Sequence, residues 1–268
     1  MAAAPVRLTP SFREKIWGTT RLSPWFPDSR EKTGEVWFLG EREFPVLIKF
    51  IFTSERLSVQ VHPDDDYARR HEASRGKSEM WHILRAEPGA KIAAGFRRHL
   101  SRPHLREASL SGEIDQLLAW REVKPGETYF TPSGTVHAIG GGIVLCEIQQ
   151  NSDITYRLYD YGRPRELHLD KGVEVSDLGP HPGPQQPHGD LLVISDYFIT
   201  SSLRLDGGRS IAAGNRLHFL VVLEGSGTIA GEPFRLGEVW HVPPGAGEVR
   251  LEGSARLLHV TCQEETDG

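Results

Sequence analysis

The chain has 268 residues, of which 38% are hydrophobic and 25% are charged; its formal net charge is -5 and its pI is about 6.2. That balance is typical of a globular protein and argues against a surface that binds nucleic acid, which would normally be basic. No apolar run reaches the roughly 18 residues of a membrane helix, and the start, MAAAPVRLTP, lacks the apolar core of a signal peptide. We therefore expect a cytoplasmic protein with no membrane or nucleic-acid partner.

Short apolar runs separated by Gly and Pro predict strands along the first part of the chain. The predicted strands are residues 44–52, 56–62, 79–86, 90–96, 127–132 and 142–150. One helical insertion is predicted near 104–123, where Leu, Ile and Trp recur at roughly helical spacing, and a short helix through DDDYARRHEA, whose aspartates suit a helix N-terminus. Many short strands with such turns indicate an antiparallel barrel or sandwich.

A segment rich in Pro, Gly and His, residues 176–190, divides the chain. We predict that it links a first domain, residues 1–175, to a second domain, residues 191–268. Both domains contain the pattern G-x5-P-x-G, and the two copies lie 111 positions apart: Gly126, Pro132, Gly134 and then His137, against Gly237, Pro243, Gly245 and then Glu248. We interpret this as a duplicated β-barrel, the alternative being two unrelated Gly-Pro turns.

The stretch VQVHPDDD indicates a metal site. Alternate side chains of a strand share a face, so Gln60 and His62 should point one way and the flanking valines the other. The pattern that ends at His137 resembles the second signature of the cupin superfamily, in which the histidine is a metal ligand inside a small barrel. With Glu79 on another predicted strand, Gln60, His62 and His137 form a nitrogen and oxygen ligand set that suits zinc or a similar metal. Gln60 could instead be a hydrogen-bonding partner of a ligand.

Longer motifs occur in a fixed order over roughly residues 14–171: KIWGTTRL, GEVWFLG, FPVLIKFIFTSERLSVQVHPDDDYA, GKSEMWHIL and PSGTVHAIGGGIVLCEIQQNSDITYRLYDYGR. Together they resemble the type I mannose-6-phosphate isomerases of the short bacterial form. The resemblance implies tandem cupin-type jelly-roll barrels with a short helical insertion, one Zn²⁺ per chain and a sugar phosphate as partner. It implies interconversion of mannose 6-phosphate and fructose 6-phosphate through an enediol, by a monomer or a homodimer. Glu248 stands where the second barrel would need a histidine ligand, so we expect one metal site.

The resemblance also implies residue roles. Gln60, His62, Glu79 and His137 would be the metal ligands. Arg157 would be catalytic, because a guanidinium stays protonated and can stabilise a developing enediolate. Glu147 would carry the proton between C2 and C1, with Lys77 as the other candidate.

Phosphate binding is the third implied role. Ser58, Lys77 and Arg163 match positions that contact the substrate in the family. A lysine is common at the position of Arg163, although an arginine suits bidentate contact with a phosphate.

Two other classes of function stay open from the residues alone. One is another metal-cupin enzyme, such as an isomerase or epimerase of a different sugar phosphate, or an oxygenase. An oxygenase would want redox-active iron and usually more histidine ligands. The other is a non-catalytic sugar-binding cupin, which we would expect to lack one of the ligands or Arg157, and this chain lacks none.

Overall fold

The computed structural model describes residues 4–263, and within that range it confirms the predicted mainly β fold, in three antiparallel sheets. The six-stranded sheet has the order β2 (Thr9–Thr19), β3 (Thr33–Leu39), β4 (Val46–Phe52), β11 (Ile143–Gln150), β6 (Glu79–Ala86) and β9 (Thr128–Thr131). The five-stranded sheet has the order β12 (Tyr156–Tyr159), β5 (Val59–Val61), β10 (His137–Ile139), β7 (Lys91–Phe96) and β8 (Leu118–Glu122).

The seven-stranded sheet contains the C-terminal strands. Its order is β1 (Val6–Arg7), β17 (Val239–Val242), β15 (Leu217–Ile229), β18 (Glu248–Cys262), β14 (Ile199–Ala212) and β13 (Leu191–Ile194), with β16 (Glu232–Phe234) paired to β15. The helices are α1 (Asp65–Glu72), α2 (Arg102–Ser111), α3 (Ile114–Leu117) and α4 (Leu169–Val175). Among the residues that the structure describes, no helix combines the length and the apolarity needed to cross a bilayer.

The sheets and helices stack in layers. The helices α1, α2 and α4 cover the outer face of the five-stranded sheet. The five- and six-stranded sheets enclose the interior of the first barrel. The outer face of the six-stranded sheet packs on the seven-stranded sheet, which curls around the interior of the second barrel. The largest apolar cluster is therefore shared by the two barrels.

Part of the predicted helical insertion is wrong. The helices there end at Leu117, and Leu118–Glu122 form strand β8, in which Trp120 pairs with Ala93 of β7. Gly112, in the left-handed conformation at φ 85°, ends α2 and turns the chain. The apolar spacing that suggested one long helix comes from two elements in succession. A helix packs on the five-stranded sheet, and then strand β8 joins the edge of that sheet. The short helix is confirmed as α1, capped by the Asp64 side chain, which accepts a hydrogen bond from Tyr67 N at 2.8 Å.

Residues 6–7 depart from the predicted first domain, residues 1–175. Strand β1 pairs with β17 of the seven-stranded sheet, so residues 6–7 join the second barrel rather than the first. The segment 176–190 forms no helix or named strand and lies against the first barrel, where His181 Nε2 donates to Phe130 O at 2.7 Å.

Strand pairing supports the proposed duplication. In the first barrel β6 lies between β9 and β11, and in the second β15 lies between β17 and β18. Glu79 of β6 is opposite Thr131, and His218 of β15 is opposite Val242, which is 111 positions later than Thr131. The offset between the two Gly-Pro turns is therefore also the offset between β9 and β17, whereas the strands that pair with them, β6 and β15, lie further apart in the sequence.

Three strands of the six-stranded sheet are polar at one end of the barrel interior. On β4, β6 and β11, alternate side chains face either the second barrel or the first barrel's interior. The interior positions are apolar towards one end of the barrel, at Ile51, Ile83 and Leu145. At the other end they carry Lys49, Glu79, Glu147 and Gln149, all buried and paired across the strands. The fold therefore concentrates charge at one mouth of an otherwise apolar barrel.

Candidate metal centre and active site

Three of the four predicted ligands meet at this polar mouth. His62 follows β5, Glu79 begins β6 and His137 begins β10, and their side chains are 1–2% exposed. Their potential ligand atoms all lie within 4.8 Å of one another. Glu79 bridges the two rings, with Oε1 3.2 Å from His137 Nε2 and Oε2 3.6 Å from His62 Nε2.

Both imidazole rings are held by backbone carbonyls. Nδ1 of His62 lies 2.7 Å from Ile154 O, and Nδ1 of His137 lies 2.8 Å from Thr135 O. A proton on each Nδ1 leaves the Nε2 lone pair directed at Glu79, which is the usual orientation of a histidine that binds metal. Burial lowers the pKa of both rings, so they are neutral at pH 7.

The cluster fits a divalent cation. Within residues 4–263, His62 Nε2 and both carboxylate oxygens of Glu79 have no hydrogen-bond partner, although buried polar atoms normally have one. Burial, with Glu147 nearby, raises the pKa of Glu79, because the site holds negative charge poorly without a cation. Two imidazoles and one carboxylate are a known ligand set of catalytic zinc, with a position left for water or substrate.

Gln60 is beside the cluster rather than in it. Its side chain faces the interior of the barrel while Val59 and Val61 pack on the helical side, which confirms the alternation predicted for β5. Its Oε1 accepts a hydrogen bond from Ser58 Oγ at 3.3 Å, and its Nε2 lies 3.3 Å from His137 Nε2. The amide would have to turn over for its oxygen to become a ligand.

A cavity of about 380 Å³ opens next to the cluster. Six residues of the predicted site line it: Ser58, Gln60, Lys77, Glu79, Glu147 and Arg157. The other polar lining residues have no role predicted from the sequence: Lys15, Glu35, Lys49, Asp153, Thr155 and Arg165.

Lys49 is the most deeply buried of these unassigned residues. Its Nζ lies 3.2 Å from Glu147 Oε1 and donates to Gln149 Oε1 at 2.6 Å. Burial opposes its charge, but Glu147, with Glu35 and Glu79 further away, raises its pKa, so Lys49 is a cation. The signal that could have identified it is a single lysine in the apolar strand FPVLIKFIF.

Glu147 and Lys77 occupy different places in the cavity. Glu147 is buried on β11, and its Oε2 accepts a hydrogen bond from Trp81 Nε1 at 3.0 Å. Lys77 lies just before β6, is also buried, and has its Nζ 3.6 Å from Glu79 Oε2. Lys77 is therefore adjacent to the metal cluster, whereas Glu147 is held on the wall by Lys49 and Trp81.

Arg157 is held by backbone contacts and faces the cavity. Arg157 on β12 is opposite Gln60 on β5, and its Nη1 donates a hydrogen bond to Glu166 O at 2.8 Å. Its buried Nε has no hydrogen-bond partner within residues 4–263. Arg157 also lines the cavity, and a fixed guanidinium there is suited to stabilise negative charge on a bound oxygen.

Arg163, expected at the phosphate, does not line the cavity. Its guanidinium binds Asp160 and donates to Arg56 O at 2.9 Å. Arg165, two residues later, lines the cavity instead. The chain turns between Asp160 and Arg163 through Tyr161 and Gly162, both in left-handed conformations.

A comparison with models of known protein families gave no match. Individual proteins did match. The chain is 35% identical over 312 residues to mannose-6-phosphate isomerase ManA of Bacillus subtilis (strain 168), covering 96% of this chain and 99% of that protein. It is 33% identical over 277 residues to mannose-6-phosphate isomerase of Streptococcus mutans, covering 85% and 87%.

A solved structure agrees with these sequence matches. The crystal structure of the mannose 6-phosphate isomerase from Bacillus subtilis superposes with a TM-score of 0.87 and 30% identity, covering 96% of this chain and 99% of that one. Identity at this level over nearly the full length of both chains shows that the chain belongs to the mannose-6-phosphate isomerase family.

Proposed function

We propose that this site interconverts mannose 6-phosphate and fructose 6-phosphate, with one divalent metal held by His62, Glu79 and His137. The observation that carries the proposal is the buried cluster of three ligands at the edge of a cavity that also holds a carboxylate, a lysine and an arginine. Zinc is the first candidate, because imidazole nitrogens and a carboxylate suit it, and turning the Gln60 amide over would add a fourth ligand.

The cavity is suited to a sugar phosphate. Its volume of about 380 Å³ lies within the usual range for small-molecule sites. Hydroxyl and cationic side chains from Ser58, Lys77 and Arg157 line it, and they match the hydroxyls and the negative charge of such a ligand. The proposal predicts that unphosphorylated mannose is a much poorer substrate.

The isomerisation moves a proton between C2 and C1 of the sugar through an enediol, so it needs a base and a means of stabilising an oxyanion. Glu147 is the group to which we assign the proton transfer, because Lys49 and Trp81 hold its carboxylate in one orientation on the cavity wall. Arg157 would stabilise the enediolate oxygen with its guanidinium, which lines the cavity. When bound, the divalent metal supplies Lewis-acid polarisation of the sugar oxygens.

The test is a coupled assay for fructose 6-phosphate formed from mannose 6-phosphate. It is run on the purified protein, after chelation, and after return of Zn²⁺, Mn²⁺ or Co²⁺. We expect activity to be lost on chelation and restored by metal. The variant His62→Ala should stay inactive after metal is returned, whereas His99→Ala, which removes an exposed histidine outside the site, should behave like the parent protein.

The outcomes separate this proposal from its nearest alternative. If folded, metal-loaded protein forms no fructose 6-phosphate, the proposed substrate is wrong, and the same assay on other aldose and ketose phosphates tests the alternative isomerase. If activity survives complete removal of metal, as measured by elemental analysis, the metal has no part in the reaction.

A further inference from the structure

One buried carboxylate holds two arginines beside the active-site cavity. Asp160 is 2% exposed and accepts hydrogen bonds from Arg163 Nη2 at 2.7 Å, Arg165 Nε at 2.6 Å and Arg165 Nη2 at 2.7 Å. Burial would raise the pKa of Asp160, but the hydrogen bonds and charge of Arg165 and Arg163 outweigh it and lower that pKa. Asp160 is therefore ionised, and it fixes the orientation of both guanidiniums.

The charges around this carboxylate do not cancel. The pKa of Arg157 is lowered, first by burial and then by the positive charges of Arg165 and, less strongly, Arg163. The acidic groups that act on Arg157 most strongly are Asp160 and the exposed Glu166. Three guanidiniums against two carboxylates leave positive charge at this end of the cavity, and an anionic ligand would balance it.

The two arginines on Asp160 face different surroundings. Arg163 makes further contacts within the protein. Its Nη2 also donates a hydrogen bond to Arg56 O at 2.9 Å, and its guanidinium lies over the Tyr161 ring, 5.6 Å from the centroid. Among the described residues, the hydrogen bonds of the Arg165 side chain go to Asp160, and that side chain is 29% exposed and lines the cavity. Arg165 is the one with donors available to a ligand.

We propose that Arg165, and not Arg163, is the residue that recognises the phosphate group of the substrate. This rests on the proposed function, which supplies a phosphomonoester as the ligand. Such a group is largely a dianion at pH 7, and the planar fork of a guanidinium binds it by two charge-assisted hydrogen bonds. Ser58 and Thr155 line the same cavity and offer hydroxyls to the remaining oxygens. Asp160 orients Arg165, and Arg163 is a positioning residue that holds Asp160 and the backbone of Arg56.

The test compares Arg165→Gln with Arg163→Gln, a matched pair that removes the same group from the same carboxylate. The measurements are KM and kcat for mannose 6-phosphate, and the dissociation constant of inorganic phosphate by calorimetry and as a competitive inhibitor. Loss of a hydrogen-bonded charge predicts that Arg165→Gln raises KM and the phosphate dissociation constant about 10- to 100-fold, with kcat changed much less. Arg163→Gln should alter both constants by less than about 3-fold and lower the melting temperature instead.

A conservative variant keeps the test valid if Arg165→Gln folds poorly. Arg165→Lys retains the charge but loses the fork, so it should bind phosphate better than Arg165→Gln and at least about 5-fold more weakly than the parent protein. A merely structural role for Arg165 would not give this graded recovery of phosphate affinity.

Several results would overturn the inference. One is that Arg163→Gln weakens phosphate binding as much as Arg165→Gln does, or more. The second is that Arg165→Gln binds phosphate with unchanged affinity, and the third is that the parent protein does not bind phosphate. The last two with normal isomerisation would leave the proposed function standing without this residue assignment. Phosphate binding that depends on Arg165 in a protein that does not isomerise mannose 6-phosphate would support the anion site and reject the proposed function.

Discussion

Lys49 and Glu147 form a buried ion pair, with Nζ and Oε1 3.2 Å apart and the two side chains 4% and 5% exposed. They are opposite each other on β4 and β11, and Lys49 is the one polar residue of β4. Charges are costly to bury unless each compensates the other, so this pair stabilises the fold only while both members are present. Its position on the cavity wall couples the orientation of Glu147 to Lys49.

We predict that Lys49→Met lowers both stability and turnover. Loss of the cation leaves Glu147 buried with the Trp81 hydrogen bond alone, which should cost about 3 kcal/mol in the free energy of unfolding. The double variant Lys49→Met with Glu147→Leu should recover much of that stability, because it buries no charge, but none of the activity. Urea unfolding monitored by circular dichroism and the isomerase assay measure the two effects. A single variant as stable as the parent protein would contradict the prediction.

The proton-transfer assignment is tested by a second pair of variants. Glu147→Gln keeps the shape and can still accept from Trp81, yet it cannot take a proton, so kcat should fall by about 10²-fold or more. Lys77→Met removes a cation near the metal cluster and should act mainly on KM. Exchange of the C2 hydrogen of mannose 6-phosphate into deuterated water reports the transfer directly, and elemental analysis checks that metal is retained. If Lys77→Met abolishes exchange while Glu147→Gln does not, Lys77 is the base. If neither variant slows exchange, the assignment to this pair fails.

Much of the metal cluster could be predicted from the sequence, because each ligand stands in a short motif that fixes both its strand and its face. His62 alternates with valines, and His137 follows a Gly-Pro turn. Lys49 was missed because one polar residue in the apolar run FPVLIKFIF looks like part of an ordinary buried strand. Only the pairing of β4 with β11 shows that Lys49 contacts Glu147 and Gln149.

Two other features could not be predicted from local sequence: which arginine faces the cavity, and where the helical insertion near 104–123 ends. Arg163 and Arg165 are two residues apart, and a turn with two left-handed residues, Tyr161 and Gly162, decides which one faces the cavity. Motif spacing does not encode the direction of that turn. Leu118 and Trp120 fit a helical pattern as well as a strand, and pairing with β7 selects the strand.

Replacement of Glu79 should stabilise the metal-free protein and reduce the stabilisation that bound metal provides. In the metal-free protein the raised pKa of Glu79 is destabilising: above its ordinary value of 4.5 the unfolded chain loses a proton that the folded protein retains, so stability falls as the pH rises. Glu79→Gln should therefore raise the melting temperature of chelated protein at pH 8. It should also abolish most of the stabilisation that excess Zn²⁺ gives the parent protein. That stabilisation is about 4 kcal/mol in the free energy of unfolding when the metal is at 1,000 times its dissociation constant.

Thermal melts at pH 6 and pH 8, with and without Zn²⁺, distinguish these effects. Gln149→Leu is a suitable comparison, because it alters a buried neighbour in the same wall without removing a charge. Equal stabilisation of the parent protein and of Glu79→Gln by zinc would contradict the ligand assignment.

The first barrel should not fold without the second. Phe44 of the first barrel packs edge-on against Phe219 of β15 with centroids 5.1 Å apart, within an apolar cluster that both barrels share. A chain that ends at residue 190 would expose this face, so we expect no cooperative unfolding transition by calorimetry. In the full chain, Phe219→Ala should cost about 3–5 kcal/mol by leaving a cavity between the barrels. A truncated chain that unfolds cooperatively and isomerises substrate would show that the first barrel is independent.

The second barrel contains a histidine pair that should make stability depend on pH. His218 Nδ1 lies 2.8 Å from His259 Nε2, and the rings are stacked with centroids 5.1 Å apart. Burial, with smaller effects of His218 and Arg209, lowers the pKa of His259 from 6.5 to about 4. Below pH 6.5 the unfolded chain therefore binds a proton that the folded protein does not, and stability is lost as the pH falls towards 4. At about 1.4 kcal/mol per pH unit, the contribution of this one group approaches 3 kcal/mol at pH 4.

Replacement of His259 isolates this contribution from the other buried histidines. His259→Gln can still donate a hydrogen bond to His218 and does not titrate, so its free energy of unfolding should fall less steeply than that of the parent protein between pH 7 and pH 4.5. His188→Gln, which changes an exposed histidine of the linker, is the matched control and should follow the parent curve. Parallel curves for the parent protein and His259→Gln would mean that His259 titrates normally in the folded state.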